Sequence, residues 1–220
     1  MGTHGLGLAQ KKPAPQSAAT TSAPASTSTS TSAKQASGSS ASDFIRSKQE
    51  GAVKIMKLPG RTEAEEQAKQ QKLDELLGGF LDYPMLAERS LGSHWKTKTP
   101  AERQEFIDLL TRLIHKNYQK HLRGTLSFKI QYKAEAPLPE GVLVTTVARS
   151  LTNKRAEPVT IEYAVRPAGT DWKVFDITTD GVSMVRNYRT QFHKILVKDG
   201  WGELIGRMKK RLAENKDDVV

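Results

Sequence analysis

The stretch Asp171–Leu196, DWKVFDITTDGVSMVRNYRTQFHKIL, decides the fold. It opens as a strand, in which Trp172, Val174 and Asp176 alternate with Lys173, Phe175 and Ile177. Asp180-Gly181 is a turn dipeptide. Beyond it, Met184, Val185, Tyr188, Phe192, Ile195 and Leu196 fall at helical spacing. Ser183 or Asp180 can cap that helix by accepting a hydrogen bond from its free backbone N–H groups. A strand that passes through a tight turn into a capped helix is a strand-to-helix corner.

Upstream of the corner the patterning is that of a strand meander. Leu126, Phe128, Ile130 and Tyr132 alternate with polar residues; Val142–Leu151 is a second run; Val159, Ile161, Tyr163 and Val165 alternate strictly. Short connections between such runs predict antiparallel pairing. Before the strands come helices. Asp43–Leu58 is predicted helical, capped by Asp43 and ended by Pro59-Gly60. Thr62 with Glu65 makes a capping box that opens a helix to about Leu81. A short helix is predicted over Pro84–Leu91, with Gly92 ending it. Thr99-Pro100-Ala101-Glu102 then opens the longest apolar stripe: Phe106, Leu109, Leu110, Leu113, Ile114, Tyr118 and Leu122, closed by Gly124. After the corner, helices are predicted over Val182–Lys198 and Trp201–Asn215, broken at Asp199-Gly200. Helices, four strands, then helices is an α+β order. It predicts a curved antiparallel four-stranded sheet packed on helices, with an apolar pocket between the two.

Composition bounds the rest. In Ser17–Ser42, 22 of 26 residues are Ala, Ser or Thr, which cannot bury enough surface to offset ordering entropy. Residues 1–42 are therefore predicted to be a disordered tail, and 43–220 a single domain. Residues 5–10 resemble the small-residue cleavage end of a secretory signal peptide, without its charged and apolar regions. The net charge is +10 and there is no cysteine, so neither a disulfide framework nor thiolate chemistry is open to the chain. No run of 18 apolar residues exists, so no transmembrane helix is predicted.

The corner's wording, W-K-V-x-D-x-x-x-x-G-V-S-x-V-x-N-Y-R-x-Q-F, resembles the MlaC family, also known as toluene-tolerance proteins. The segment Leu91-Gly92-x-x-Trp95-Lys96, Thr99-Pro100-x-x-Arg103-x-x-Phe106, with Leu113 and Tyr118, is similar to that family's second motif. Leu81-Asp82-Tyr83-Pro84 and the closing Gly200 with Glu203-Leu204-Ile205 match it as well. The resemblance spans roughly 43–212; the long Ser/Thr/Ala tail departs from it. It implies a soluble periplasmic carrier, not an enzyme, that holds a phospholipid by its acyl chains as cargo and needs no cofactor. The implied partners are an outer-membrane lipoprotein–porin complex and an inner-membrane ABC transporter with an MCE-type subunit. The implied role is maintenance of outer-membrane lipid asymmetry, with the carrier acting as a monomer.

The residue chemistry fits that demand. Each methylene brought into water costs about 0.8 kcal/mol, so a diacyl lipid exposes on the order of 20 kcal/mol. Apolar surface must replace the bilayer. No Walker-type phosphate loop is present. Periodicity alone makes Phe106, Leu110, Ile114, Tyr118, Phe128, Ile130, Val144, Val147, Ile161, Tyr163, Phe175, Val185, Tyr188 and Phe192 core residues; the resemblance makes them candidates for lining a lipid cavity. Arg186 and Arg189 are either surface groups paired to acids or a rim that attracts a lipid phosphate.

Two basic clusters, His115, Lys116, Lys120, His121 and Arg123, and Arg207, Lys209, Lys210 and Arg211, read as helix-end and solvated-face charges. A transient contact with an anionic membrane is their functional alternative. Two further readings stay open. The pI of about 9.7 suggests a nucleic-acid-binding module, against which the aromatics occupy apolar periodic positions. A pocket enzyme would use Asp176, Asp180, Glu162 or His193, which capping and ion pairing explain otherwise. His94, His115, His121 and His193 have no metal-ligand spacing, and no metal is expected.

Overall fold

The computed structural model describes residues 39–214, with the side chains of 119–125 excepted. The cleavage-like stretch 5–10, the tail as far as residue 38 and the end from 215 lie outside the described residues, as do the side chains of Lys120, His121, Leu122 and Arg123. Helix α1 (Ala41–Met56) begins two residues before the predicted start. Ser40 is its N-cap, accepting from the Asp43 N–H at 3.1 Å, and Ser40 Oγ donates to Asp43 Oδ2 at 2.8 Å. Asp43 thus sits inside the first turn. Helix α2 (Glu63–Phe80) carries the predicted Thr62–Glu65 capping box. Helix α3 (Tyr83–Leu91) is capped by Asp82, which also pairs with Arg166.

Gly92 ends α3 at φ 57° and ψ −126°, a conformation that favours glycine. A Cβ there would meet Arg189 Nε at 2.8 Å, so the missing side chain also makes room for that guanidinium. A 3-10 turn over Gly92–Thr97 leads to α4 (Pro100–Thr125). Thr99 accepts from the Glu102 N–H, and Glu102 accepts from the Thr99 N–H and hydroxyl. Those bonds hold the Glu102 carboxyl below its usual range.

Strands β1 (Phe128–Leu138), β2 (Gly141–Ser150), β3 (Val159–Ala168), β4 (Asp171–Thr179) and β5 (Val182–Ser183) form one sheet in chain order, antiparallel throughout. The fifth strand is a two-residue addition to the four predicted. Helix α5 (Met184–Ala213) has non-helical geometry at Gly200, φ 82°, where Asp199-Gly200 predicts the break.

Register assigns the faces. Val144 pairs with Tyr163, and Thr146 with Ile161; Val165 pairs with Val174, and Tyr163 with Ile177. This face carries the core against α1, α3, α4 and α5: Phe44, Ile45, Leu86, Phe106, Leu110, Val144, Val165, Phe192 and Leu204 are buried in one cluster. The predicted alternation of β4 fails at one place. Val174 opposes Val165 and Asp176 opposes Ala164, so Phe175 is the extra residue of a bulge. Ile177 therefore shares the face of Trp172 and Val174 instead of opposing it. Phe175 is buried outside the main cluster, under the Arg89 guanidinium, 4.4 Å from its ring centre.

Candidate functional site

A depression of about 480 Å³ lies between α1 and the edge strand β1. Arg46, Gln49 and Glu50 line one side; Ile130 and Tyr132 line the other. Its volume falls in the range of about 300–1,000 Å³ usual for small-ligand pockets. On α1, Ile45, Gln49, Ala52 and Met56 follow one another at helical spacing; Ile45 enters the main core, while Ala52 and Met56 pack with Leu73, Leu76 and Tyr118 of α2 and α4. Gln49 is the polar member of that stripe. Its Oε1 accepts from the Tyr132 hydroxyl at 2.5 Å, and its Nε2 donates to Tyr163 Oη at 3.1 Å. One amide thus latches α1 to β1 and β3. The Arg46 guanidinium lies 4.5 Å from the centre of the Tyr132 ring and pairs with Asp43 at 2.8 Å.

Tyr163 is buried, with its ring edge-on to Phe80. Ala52 and Leu73 form a small buried cluster with Ile55, Met56, Leu76 and Tyr118 packed on it. Burial raises the proton affinity of Tyr163, Tyr132 and Tyr118; Tyr118 is pushed up to about 12, with Tyr163 as the second cause. The cleft is lined mainly by polar groups, Arg46, Gln49 and Glu50, with Ile130 and the Tyr132 ring as its apolar part. The sequence predicts an apolar pocket between sheet and helices; the depression at this margin is instead lined chiefly by polar residues, and the centre of the sheet–helix interface is packed.

The residues singled out from the sequence are placed unevenly about this cleft. Ile130 lines it, Tyr163 holds its latch, and Tyr118 lies in the small cluster behind. Val144 and Ile161 are next to Tyr163 on the same sheet face. Phe106, Leu110, Ile114, Val185 and Phe192 are buried in the main core, and Tyr188 packs on it. There Phe106 meets Phe192 edge-on, and Tyr188 stacks on Phe192, each with ring centres 5.4 Å apart. Three placements correct the sequence reading. Val147 has opposite parity to Val144, so it points to the other sheet face and cannot share a cavity with it. Phe128 is 36% exposed at the start of β1. Phe175 sits on the bulge, apart from the main cluster.

Arg186 and Arg189 line a second depression of about 330 Å³, with Leu91, Ser93, His94, Thr190 and His193. It shares no lining residue with the first. Among the described residues neither arginine forms an ion pair, contrary to the paired-surface reading. His94 and His193, far apart in sequence, lie 3.0 Å apart between ring nitrogens. Among the described residues no group of three potential metal ligands is assembled.

The other charged candidates serve the framework. Asp180 accepts from the Thr160 N–H at 2.9 Å and does not cap α5; Ser183 does, accepting from the Arg186 N–H at 3.0 Å. Asp176 makes no ion pair among the described residues. It accepts from Ser183 Oγ at 2.5 Å and from the Val185 N–H at 3.1 Å. His115 bridges Tyr83 Oη and Asp74. Lys116 donates to the carbonyls of Arg211, Leu212 and Glu214 at the end of α5. Arg207 pairs with Asp199 and Glu203, and Lys209 with Glu105. Sequence reasoning missed Arg46, Gln49 and Glu50. The available signal was a glutamine within an otherwise apolar helical stripe.

Comparison with known proteins gives three findings. The family model described as MlaC protein matches residues 46–210. The intermembrane phospholipid transport system binding protein MlaC of Haemophilus influenzae is 23% identical over 137 residues, which are 61% of this chain. The chain spans 64% of the length of that curated relative. A phospholipid-binding protein from Ralstonia solanacearum, solved in complex with a phospholipid, shares the fold. Its TM-score is 0.65 at 22% identity, covering 80% of this chain and 98% of that one.

Proposed function

We propose, from the premise that this chain belongs to the MlaC family, that it is a phospholipid carrier that holds its cargo by the acyl chains. The observation that carries this reading is the cleft between α1 and β1, where Ile130 and the Tyr132 ring meet the Arg46 and Gln49 donors and the Gln49 amide reaches the buried Tyr163. Acyl chains would pass Ile130 and Tyr132, displace the Gln49 latch, and lie against Tyr163, Val144, Ile161 and Tyr118. Arg46 and Gln49 would stay with the headgroup, since donors at the mouth match phosphodiester oxygens. A lipid held this way trades one apolar environment for another, so at about 0.8 kcal/mol per methylene the transfer needs no nucleotide in the carrier.

The reading extends to where the carrier works. Residues 43–220 would form one lipid-binding domain acting as a monomer in the periplasm. It would exchange phospholipid with an outer-membrane lipoprotein–porin complex and with an inner-membrane ABC transporter bearing an MCE-type subunit. That traffic supports outer-membrane lipid asymmetry. The relative's name, an intermembrane phospholipid transport binding protein, and the phospholipid in the structural neighbour support this assignment.

Uptake of a phospholipid fluorescent on its acyl chain, by delipidated protein, tests the reading. Saturable uptake is expected, competed by unlabelled diacyl phospholipid and not by glycerophosphate. Competition by the soluble headgroup alone, or no uptake, would contradict it.

A further inference from the structure

The β1–β2 end of the sheet joins exposed apolar side chains to unpaired cations. Phe128 opposes Ser150 in the register, and the Leu151 N–H donates to Ser127 O at 2.7 Å, which extends the pair past the strand ends. At that end Leu126 and Phe128 are each 36% exposed and Leu151 is 59% exposed. Large apolar groups gathered at one margin and rimmed by polar residues mark an interaction surface.

The cations stand on the other sheet face at this end, beside Leu151 and opposite Phe128 and Ile130. Lys129 and Arg149 are direct cross-strand partners, and like charges placed opposite one another destabilise a sheet. Lys154 and Arg155 follow in the β2–β3 connection, where Asn153 folds the chain back onto Ser150. Among the described residues none of the four makes an ion pair, and Glu157 is the one carboxylate of that connection. An external anion would relieve the Lys129–Arg149 repulsion.

The same end leads to the cleft. Phe128, Ile130 and Tyr132 stand at alternate positions of β1 and share one face, and the last two line the cavity. A row of β1 side chains therefore runs from the exposed strand end to the cleft.

We propose that this strand end docks on an anionic phospholipid bilayer, with Leu126, Phe128 and Leu151 entering the interface and Lys129, Arg149, Lys154 and Arg155 against the headgroup phosphates. Apolar insertion flanked by cations is the combination that binds such surfaces. Docking would bring β1 to the acyl chains, which would enter past Phe128 and Ile130. That entry step rests on the carrier reading; the docking does not.

Flotation with phosphatidylethanolamine vesicles, with and without phosphatidylglycerol, tests it, alongside uptake of a short-chain phospholipid supplied as monomers. The wild-type protein is expected to float with the anionic vesicles and to be released by salt. K129Q/R149Q is expected to lower the vesicle partition coefficient about 30-fold, the usual worth of two surface cations, and L126S/L151S about tenfold. Both variants should keep monomer uptake. Wild-type protein that ignores anionic vesicles, or variants that float like it, would overturn the proposal. If vesicle-inert protein still exchanged lipid with a membrane-embedded complex, the rim would belong to a protein contact instead. Loss of monomer uptake in the wild type, with flotation intact, would refute the carrier reading and leave the docking standing.

Discussion

Gln49 occupies the place where an apolar residue would complete the α1 stripe, and it spends both amide groups on tyrosines of the sheet. Replacing it removes two bonds and leaves the buried Tyr163 hydroxyl with fewer partners. Gln49→Ala is expected to lower stability by about 1–3 kcal/mol, measured by urea unfolding, and to speed acyl-chain uptake by loosening α1 from β1. Unchanged uptake kinetics would show that the amide is no latch. At this scale the sequence carries identity but not pairing. Gln49 and Tyr132 are 83 positions apart, and neither belongs to a spaced motif. His94 and His193 likewise have no sequence relation, yet they touch. Asp180 had the right chemistry for a cap, but its φ of 46° belongs to the turn and its carboxylate binds Thr160 instead.

Elements were easier to read, because their signals are local. The Thr62–Glu65 and Thr99–Glu102 boxes mark helix starts, Gly92 marks an end, and Asp199-Gly200 marks the break within α5. What local signals miss is a change of register. Nothing in Val174-Phe175-Asp176 announces that Phe175 is an extra residue, since a bulge is defined by the opposing strand. The meander order makes β1 an edge strand; what the alternating pattern does not show is that Leu126 and Phe128 are exposed at its start.

The β4–β5–α5 corner yields the prediction at this scale. Asp176 ties the last long strand to the first turn of α5 through Ser183 Oγ and the Val185 N–H. Asp176→Ala is expected to destabilise the protein by about 1–3 kcal/mol. It should also raise hydrogen exchange at the Val185 and Arg186 amides before the rest of α5. Uniform exchange along the helix would argue against a local anchor.

The whole molecule combines an antiparallel meander, legible from alternating runs with short connections, with helices that cover one of its faces. Its five tyrosines all hold their protons more tightly than free tyrosine does, and burial is the leading cause for each. A group whose folded affinity exceeds its unfolded value contributes its full stability below the unfolded value, near pH 10 for tyrosine. That contribution drains as pH rises, toward about 12 for Tyr118. The protein should therefore lose stability steeply above about pH 10, and phenolate absorbance should appear together with loss of helical signal. Free titration of all five tyrosines near pH 10 in folded protein would contradict this packing.

The central claim is that the cleft between α1 and the sheet takes a phospholipid by its chains. Native mass spectrometry of the freshly purified protein tests it most directly. The account predicts a species heavier by the mass of one phospholipid, stripped by detergent and restored by incubation with vesicles. Bare protein mass in fresh material, with no lipid adduct after vesicle incubation, would contradict it.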